Sequence, residues 1–351
     1  MHTDPAINPI PLSDERLSDE RRGELLITRG HLLWTLRSFF YREGFLEIET
    51  PSLVCSPGLE PQLDAFEVNA RYAAKSIPAR RLLHTSPEYA LKRYLGGEGR
   101  EVQRVYSLGS CFRDELPSTT HSPEFTLLEW YARDLSLEGL MSQCEALIRA
   151  LAEEGRARGY TPQRLLDDRP YERLSVQEAF IRYAEVDLER CPDVERLRLA
   201  AERSGVRRDA LHGSWDELYF QIFMDLVEPH LGSERPTFLY DFPASQAALA
   251  KLDPERPQWA RRFELFAEGL ELANAFDELS DPEEQRARFL EDLEVRRQRG
   301  AQCPPIDEVL LARLPQLGDC VGIALGFDRL VMSICGVDEI DLVRLQPWES
   351  P

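Results

Sequence analysis

Residues 105–134, VYSLGSCFRDELPSTTHSPEFTLLEWYARD, decide how this chain folds. The runs 105–114 and 125–131 alternate with a period of two, which predicts two strands, and the polar segment between them predicts a loop. A purely structural hairpin would keep its inner face apolar. This hairpin instead carries charged, phenolic and aromatic side chains, namely Arg113, Glu115, His121, Phe125, Glu129 and Tyr131. That mixture indicates a site for a charged, planar ligand.

The residues on the two sides of the hairpin loop resemble a known motif. FRDE at 112–115, followed after a short loop by HSPEF at 121–125, resembles motif 2 of the lysyl-type class II aminoacyl-tRNA synthetases. In that family the arginine binds the α-phosphate of ATP, which suits a forked guanidinium, and the phenylalanine stacks on adenine. The resemblance implies these roles for Arg113 and Phe125. It also implies ATP contacts at Asp114, Glu115, His121 and Ser122.

An N-terminal segment resembles motif 1, the dimerising element of the same family. Apolar residues recur with helical spacing between 25 and 41, which predicts a helix, and the run 45–51 predicts a strand that ends at a proline. The resemblance implies a homodimer.

Near the C-terminus, GIALGFDRL at 322–330 resembles motif 3, in which a glycine-containing strand leads into a helix whose arginine faces ATP. Gly326 and Arg329 are therefore implied to contact ATP, and Arg113 and Arg329 to be the catalytic residues. Ala324 stands where the lysyl-tRNA synthetase pattern has glycine, beside the substrate α-carbon. Its methyl group is predicted to favour a substrate whose amino group is moved one carbon along.

An acidic pair is predicted between motifs 2 and 3. Two strands joined by a turn at 268–269 would pair Phe266 with Glu271 and place Glu264 and Glu271 on one face. Paired surface acids are usually only solvated. Because a phosphate-binding arginine is expected on each side, we interpret Glu264 and Glu271 as ligands of Mg²⁺ that bridges ATP phosphates. Leu272 is implied as a further ATP contact.

Two more segments resemble the amino-acid pocket of the lysyl family. In the first, Ser86, Pro87 and Glu88 line the pocket; Ser86 is predicted to cap the following helix, and Glu88 is implied to meet the substrate amino group. The second, ELANAFDE at 271–278, resembles the family's Glu-x-x-Asn-Gly-Phe-x-Glu.

In that second segment, Asn274 is implied to lie near the substrate carboxylate. Glu278, together with Tyr131, is implied to take the side-chain ammonium, whose burial without a partner would be costly. The period of two does not by itself place Glu271 and Asn274 on one face, so a bulge is required between them.

Composition bounds the class of protein. The 351 residues are 43% hydrophobic and 30% charged, as in globular proteins, and their net charge of −20 makes tRNA binding less expected without excluding it. Seven scattered cysteines without a Cys-x-x-Cys pair indicate reduced thiols in a cytoplasmic protein. No secretory signal or membrane-spanning run is visible.

The predicted fold class is α+β: an antiparallel sheet of the class II catalytic type, flanked by helices. We predict a flexible tail over 1–24 and one catalytic domain over 25–345, with a mainly helical insertion at about 140–235. Since motif 1 begins near residue 25, we expect no anticodon-binding barrel of roughly 100 residues before it. With FPASQ at 242–246 and Ala324, the chain is identified as a member of the elongation factor P–lysine ligase family.

Membership implies that ATP and Mg²⁺ are used to activate β-lysine as an adenylate, which is transferred to a lysine of elongation factor P. One alternative is a shortened synthetase-like enzyme that loads lysine onto tRNA or another carrier. Another, of a different class, is a non-catalytic paralogue that binds amino acid or nucleotide. The presence of the expected ATP-site and metal-site residues argues against that last alternative: Arg113, Glu115, Glu264, Glu271 and Arg329.

Overall fold

The computed structural model describes residues 18–69, 80–206 and 213–348. The strands, in chain order, are β1 (Leu46–Glu47), β2 (Leu53–Val54), β3 (Glu67–Asn69), β4 (Arg80–Leu83), β5 (Arg104–Phe112), β6 (Glu124–Ala132), β7 (Glu172–Ser175), β8 (Thr237–Pro243), β9 (Trp259–Ala267), β10 (Leu270–Asp277) and β11 (Val321–Gly326). The α-helices are α1 (Asp19–Arg42), α2 (Glu88–Leu95), α3 (Leu137–Ala157), α4 (Val176–Ala179), α5 (Val194–Arg203), α6 (Trp215–Ile222), α7 (Pro282–Gln298), α8 (Glu308–Leu317) and α9 (Phe327–Cys335).

An eight-stranded sheet organises these elements, in the order β1-β5-β6-β11-β10-β9-β8-β7. Neighbouring strands are antiparallel except at the two edges, where β1 joins β5 and β7 joins β8 in parallel. A separate small sheet has the order β2-β4-β3. The predicted α+β class with a mainly antiparallel sheet is therefore confirmed.

The central hairpin β5–β6 forms as predicted, and its alternation separates two faces. Tyr106 pairs with Trp130, and both belong to the main hydrophobic core under α1, α3 and α9. Val105 and Tyr131, one residue away on each strand, belong instead to a cluster with α2, α7 and α8. Because successive side chains point to opposite faces of a sheet, helices cover both faces and Glu129 faces away from the main core.

The second hairpin, β9–β10, also has the predicted register. Glu268 and Gly269 have φ values of 55° and 79°, as a tight two-residue turn of this kind requires, and Phe266 pairs with Glu271. The next pair is Leu265 with Ala273, so Leu272 is an extra residue in β10. This β-bulge is the irregularity that the sequence required between Glu271 and Asn274.

Helix signals read from the sequence mostly agree with the structure. The Asp281 side chain caps α7 by accepting hydrogen bonds from the backbone N–H groups of Glu283 and Glu284. Helix α1 starts earlier than predicted, at Asp19, because the Ser18 side chain caps it by accepting from Arg21 N. Residues 19–24 are thus helical, with Ser18 as their cap, and residues 1–17 of the predicted tail lie outside the described residues.

Three local predictions differ from the structure. The strand predicted over 45–51 is only Leu46–Glu47, because just these two residues pair with β5. The sequence of the run 55–79 predicts an irregular segment, but the run contains β3, and residues 70–79 of it lie outside the described part. Ser86 does not cap α2: Pro87 holds the cap position, and Ser86 Oγ accepts from Glu88 N only at 3.4 Å.

Between α3 and β8 the chain builds a region with its own core. Helices α4, α5 and α6 and the helical segments 180–184 and 223–227 enclose buried side chains such as Phe180, Leu197 and Tyr219. Helix α3, at the start of the predicted 140–235 insertion, packs in the main core instead. Residues 207–212 of that insertion lie outside the described residues, and its identity as an insertion stays a prediction.

Within residues 18–69, 80–206 and 213–348, none of the helices combines the length and hydropathy that a membrane crossing requires. All seven cysteines are free thiols.

Candidate active site

A cavity of about 420 Å³ opens on the face of the sheet opposite α1, α3 and α9, a size typical of small-molecule sites. Its walls come from the β5–β6 hairpin, the β9–β10 hairpin, the β11–α9 junction, the start of α2 and helix α6. Most of the predicted site residues line it: Ser86, Glu88, Arg113, Glu115, His121, Ser122, Phe125, Glu264, Glu271, Leu272, Asn274, Ala324, Gly326 and Arg329. Segments far apart in the chain are thus brought to one place.

Four predicted residues do not line the cavity. Pro87 serves as the cap of α2, and the Asp114 backbone N–H donates to Asp64 O at 2.8 Å. Tyr131 and Glu278 are fully buried directly behind the wall, where each contacts a charged side chain.

At one end of the cavity, Arg113 is held ready for an anion. It follows β5 directly, and its guanidinium carbon lies 4.9 Å from the ring centroid of Phe125. Its Nε is buried without a hydrogen-bond partner, and within the described residues no carboxylate forms an ion pair with it. A half-buried guanidinium whose Nε has no partner is costly, so this arrangement favours binding of a phosphate.

Arg329 enters the same end of the cavity from α9. It donates to two backbone carbonyls, Thr120 O at 3.2 Å and Glu271 O at 2.9 Å, and its Nη2 lies 2.6 Å from His121 Nε2. Burial, and then the charge of Arg329, lower the pKa of His121, so its ring is neutral at pH 7 and Nε2 can accept this hydrogen bond. The contacts join the loop after β5 to α9 across the cavity.

A second end of the cavity is acidic, and its organiser is Arg262, which the sequence reading missed. Arg262 forms an ion pair with Glu264 and donates to Gln246 O at 2.6 Å and Asn274 Oδ1 at 3.3 Å. Its guanidinium stacks over the ring of Phe242, 4.2 Å from the centroid. The available signal was its spacing of two from Glu264, which places both side chains on one face of β9.

The carboxylates at this end repel one another. Burial raises the pKa of Glu264 to about 8, and the charges of Glu271 and Glu228 add to the shift. In the described ranges no three His, Cys, Asp or Glu side chains are grouped to hold a metal by themselves. Mg²⁺, however, is usually bound through one or two carboxylates together with substrate phosphates, and Glu264 and Glu271 fit that requirement.

The third end of the cavity collects carboxylates around one buried lysine. Lys92 Nζ lies 2.5 Å from Glu88 Oε1 and 2.5 Å from Glu278 Oε2, and these three side chains are buried. Nearby, Tyr131 Oη donates to Glu129 Oε1 at 2.6 Å, while Glu129 Oε2 has no partner.

These carboxylates are in excess over the cations near them. Burial, and then the charge of Glu88, raise the pKa of Glu129, and the same two causes raise the pKa of Glu60 to about 7. The ammonium of Lys92 pairs with two of the four carboxyl groups, those of Glu88 and Glu278, while Glu129 and Glu60 lie within reach of the charge of Glu88. The site is therefore built for a ligand that brings further positive charge.

Close packing holds this acidic end in place. A Cβ added to Gly322 of β11 would overlap the Glu278 carboxylate and the Tyr131 ring, so only glycine fits there. On the same strand, Ala324 lines the cavity and pairs with Glu129 on one side and Asn274 on the other. Its methyl group thus lies between the acidic end and Asn274, the residue predicted to contact the carboxylate of the substrate.

Sequence reasoning gave no individual role to three residues at this end, Glu60, Lys92 and Glu129, although it predicted that Glu129 lies on the polar face of the hairpin. Signals for two of them existed. Lys92 lies four residues after Glu88 on α2, which places them side by side, and Glu129 shares a face of β6 with Phe125. Glu60 lies in an irregular stretch, where no pattern indicated its position.

The antiparallel sheet presents one arginine from a hairpin and another from a strand–helix junction, with an acidic pair between them. This arrangement defines a class II aminoacyl-tRNA synthetase catalytic core. The family model for class II tRNA synthetases (D, K and N) matches residues 15–350. Relatives of high similarity are the elongation factor P–(R)-β-lysine ligases. Those of Proteus mirabilis and Salmonella typhi are 38% identical over 324 residues and 39% identical over 317 residues.

These alignments cover 92% and 90% of this chain, and 94% and 92% of the two relatives. The enzyme of Photorhabdus laumondii is 38% identical over 318 residues, which is 90% of this chain and 92% of that protein. The chain belongs to the elongation factor P–(R)-β-lysine ligase family of class II synthetase-like enzymes, and it is a ligase.

Proposed function

We propose that this enzyme activates β-lysine with ATP as an aminoacyl-adenylate and transfers the β-lysyl group to a lysine side chain of elongation factor P. The observation that carries the proposal is the acidic end of the cavity, where four carboxyl groups lie close together and the ammonium of Lys92 pairs with two of them. A substrate with two ammonium groups offsets most of the remaining negative charge. Aspartate and asparagine, the other amino acids of the matched family, each bring only one ammonium group.

The two arginines suit the first reaction step. The substrate carboxylate attacks the α-phosphorus of ATP, a phosphorus–oxygen bond forms, and pyrophosphate leaves with the electrons of the broken bond. Arg113 and Arg329 neutralise the charge that develops on the phosphoryl oxygens, while Phe125 stacks on adenine. Mg²⁺ held by Glu264 and Glu271 would supply charge neutralisation at the leaving pyrophosphate. The protein contributes mainly position and charge.

The second step is aminolysis. The neutral amine of the acceptor lysine attacks the carbonyl carbon of the adenylate, a carbon–nitrogen bond forms, and AMP leaves as its carbonyl–oxygen bond breaks. The amine loses its extra proton to solvent. This step requires no nucleophilic side chain of the enzyme. The thiols of Cys111 and Cys320 are free and buried, and burial raises their pKa values.

The test is pyrophosphate exchange with β-lysine and with α-lysine, followed by transfer assays with elongation factor P and with tRNA. Exchange that prefers β-lysine, with transfer to elongation factor P, is the expected result. Loading of tRNA would support the shortened synthetase instead. Binding without exchange would support a non-catalytic protein. We also propose a cytoplasmic location, since all seven thiols are free, as in reducing compartments.

The first prediction concerns substrate choice. Ala324→Gly removes the methyl group between the contacts for the amine and the carboxylate, so α-lysine activation should rise by roughly 10- to 200-fold without a matching gain for β-lysine. The measurement is the ratio of the two exchange rates. The matched control is Ala275→Gly: Ala275 lies on β10 with its side chain in the main core, on the face opposite the cavity, so its substitution should leave the ratio unchanged. A ratio for Ala324→Gly within about twofold of wild type, under the roughly tenfold floor of this effect, contradicts the assignment.

The second prediction concerns assembly. Ile27, Trp34 and Tyr41 lie seven residues apart on α1 and are exposed by 61%, 72% and 84%, so they form one apolar stripe along the helix. We propose that this stripe is the two-fold dimer interface. Sedimentation at micromolar concentration should show a dimer, and Trp34→Asp should give a 40.3 kDa monomer.

The matched control for this prediction is Leu290→Asp. Leu290 is exposed on α7, away from the stripe, so its substitution should leave the dimer intact. A wild-type monomer, or a dimer that survives Trp34→Asp, would show that the stripe is not the interface.

A further inference from the structure

We propose that helix α6 and the segment after it receive the acceptor protein: an aromatic lobe of the cavity, formed by Tyr219, Phe223 and Phe242, admits the stem of the acceptor lysine, and the neighbouring surface around Met224 docks the loop that carries this lysine. The inference rests on the proposed function, because it concerns the second substrate of that reaction. It adds the place where that substrate enters.

The lobe is a part of the cavity that neither reactant of the first step needs. The contacts expected for ATP come from the loop after β5, from β10 and from α9, and those for the amino acid come from α2, β6 and β11. The lobe is lined instead by rings from α6, from the segment after it and from β8. An aromatic wall of this kind suits the apolar four-carbon stem of a lysine, which is buried most readily along apolar surface.

Tyr219 shows that this lobe is prepared for a polar group. Its side chain is 1% exposed, it lines the cavity, and its hydroxyl has no hydrogen-bond partner. The ring is held by stacking on Phe180, at 5.0 Å between centroids and 11° between planes, and on Trp215, at 5.5 Å and 12°. A buried hydroxyl without a partner is costly, so a ligand that supplies one is favoured.

The outer surface of the same element is apolar and acidic. Phe220 and Met224 are 48% and 57% exposed and lie four residues apart, so they are neighbours on the helix surface. Residues 213–229 contain four acidic residues and no lysine or arginine. The positively charged side chain of the acceptor lysine is therefore attracted here, whereas the phosphates of a tRNA end are repelled.

The test uses Met224→Arg, because Met224 is exposed, does not line the cavity and tolerates substitution without loss of the core. Transfer of the β-lysyl group to elongation factor P should show a KM for the acceptor raised about tenfold, while pyrophosphate exchange stays within about twofold of wild type. The matched control is Leu199→Arg, an apolar residue of similar exposure on α5. It should change neither value.

An unchanged acceptor KM in Met224→Arg, with normal exchange, overturns the inference and leaves the proposed function standing. Equal losses in Met224→Arg and Leu199→Arg overturn it as well, because the effect would be one of general charge. A wild-type enzyme that transfers to tRNA and not to elongation factor P would refute the acceptor in the proposed function, and this inference with it.

Discussion

Arg113→Ala is expected to abolish measurable adenylate formation, a loss of at least about 100-fold in pyrophosphate exchange. The guanidinium lies against Phe125 with its Nε buried and unpartnered, which leaves it available to fork the α-phosphate, whereas the guanidinium of Arg329 already donates to Thr120 O and Glu271 O. Exchange kinetics at saturating β-lysine measure this loss directly. The fold should persist, since Arg113 makes no ion pair with a described carboxylate.

Two further variants make this result specific. Arg113→Lys keeps the charge but loses the fork, and should retain only a small part of the activity. Arg93→Ala removes an arginine that forms an exposed ion pair with Asp307, and should behave as wild type. If Arg113→Ala exchanged pyrophosphate at nearly the wild-type rate, its assignment to the phosphate would be wrong.

Glu129→Gln should have the second large effect, because it removes a buried negative charge and changes little in shape. Breaking a buried charge pair costs about 3–5 kcal/mol, so kcat/KM for β-lysine should fall by roughly 100-fold or more. The KM for ATP should change little, because Glu129 lies at the end of the cavity that holds the amine. Glu98→Gln, at an exposed pair with Arg313, is the control.

The same variant has a pH signature. Burial raises the pKa of Glu129 and of Glu278, and raises that of Glu60 to about 7, so carboxyl groups at this end of the free enzyme are partly protonated near neutral pH. Bound ammonium groups favour the carboxylates, and protons therefore compete with the substrate. For the wild type, kcat/KM for β-lysine should rise between about pH 6 and pH 8. A Glu129→Gln profile with an unchanged slope and midpoint would show that Glu129 does not meet the substrate.

Local patterns were enough to predict the two hairpins and the strand–helix junction that carry the arginines and the acidic pair. Alternation set the faces of β5 and β6, and the turn at Glu268 and Gly269 set the register of β9 and β10. Even the bulge at Leu272 followed from the need to place Glu271 and Asn274 on one face.

The parts that sequence did not predict depend on contacts between distant segments. Lys92 meets Glu278 only because α2 packs beside the end of β10, and no periodicity within either element reports that neighbour. The sequence indicates only that Arg262 lies in a strand. Its role follows from its hydrogen bonds to Gln246 and Asn274, which the fold brings next to it. The short strands β2, β3 and β4 are too brief for an alternation to be recognised.

The extra residue in β10 constrains how this enzyme can change over generations. Two residues separate Glu271 and Asn274, so in a regular strand one of these two side chains would turn from the cavity into the core, and both face the cavity only while the bulge at Leu272 persists. A substitution that straightens the bulge should therefore cost the site more than the contact it removes. Replacements that keep the bulge should persist in a gene pool, while those that straighten it should be lost.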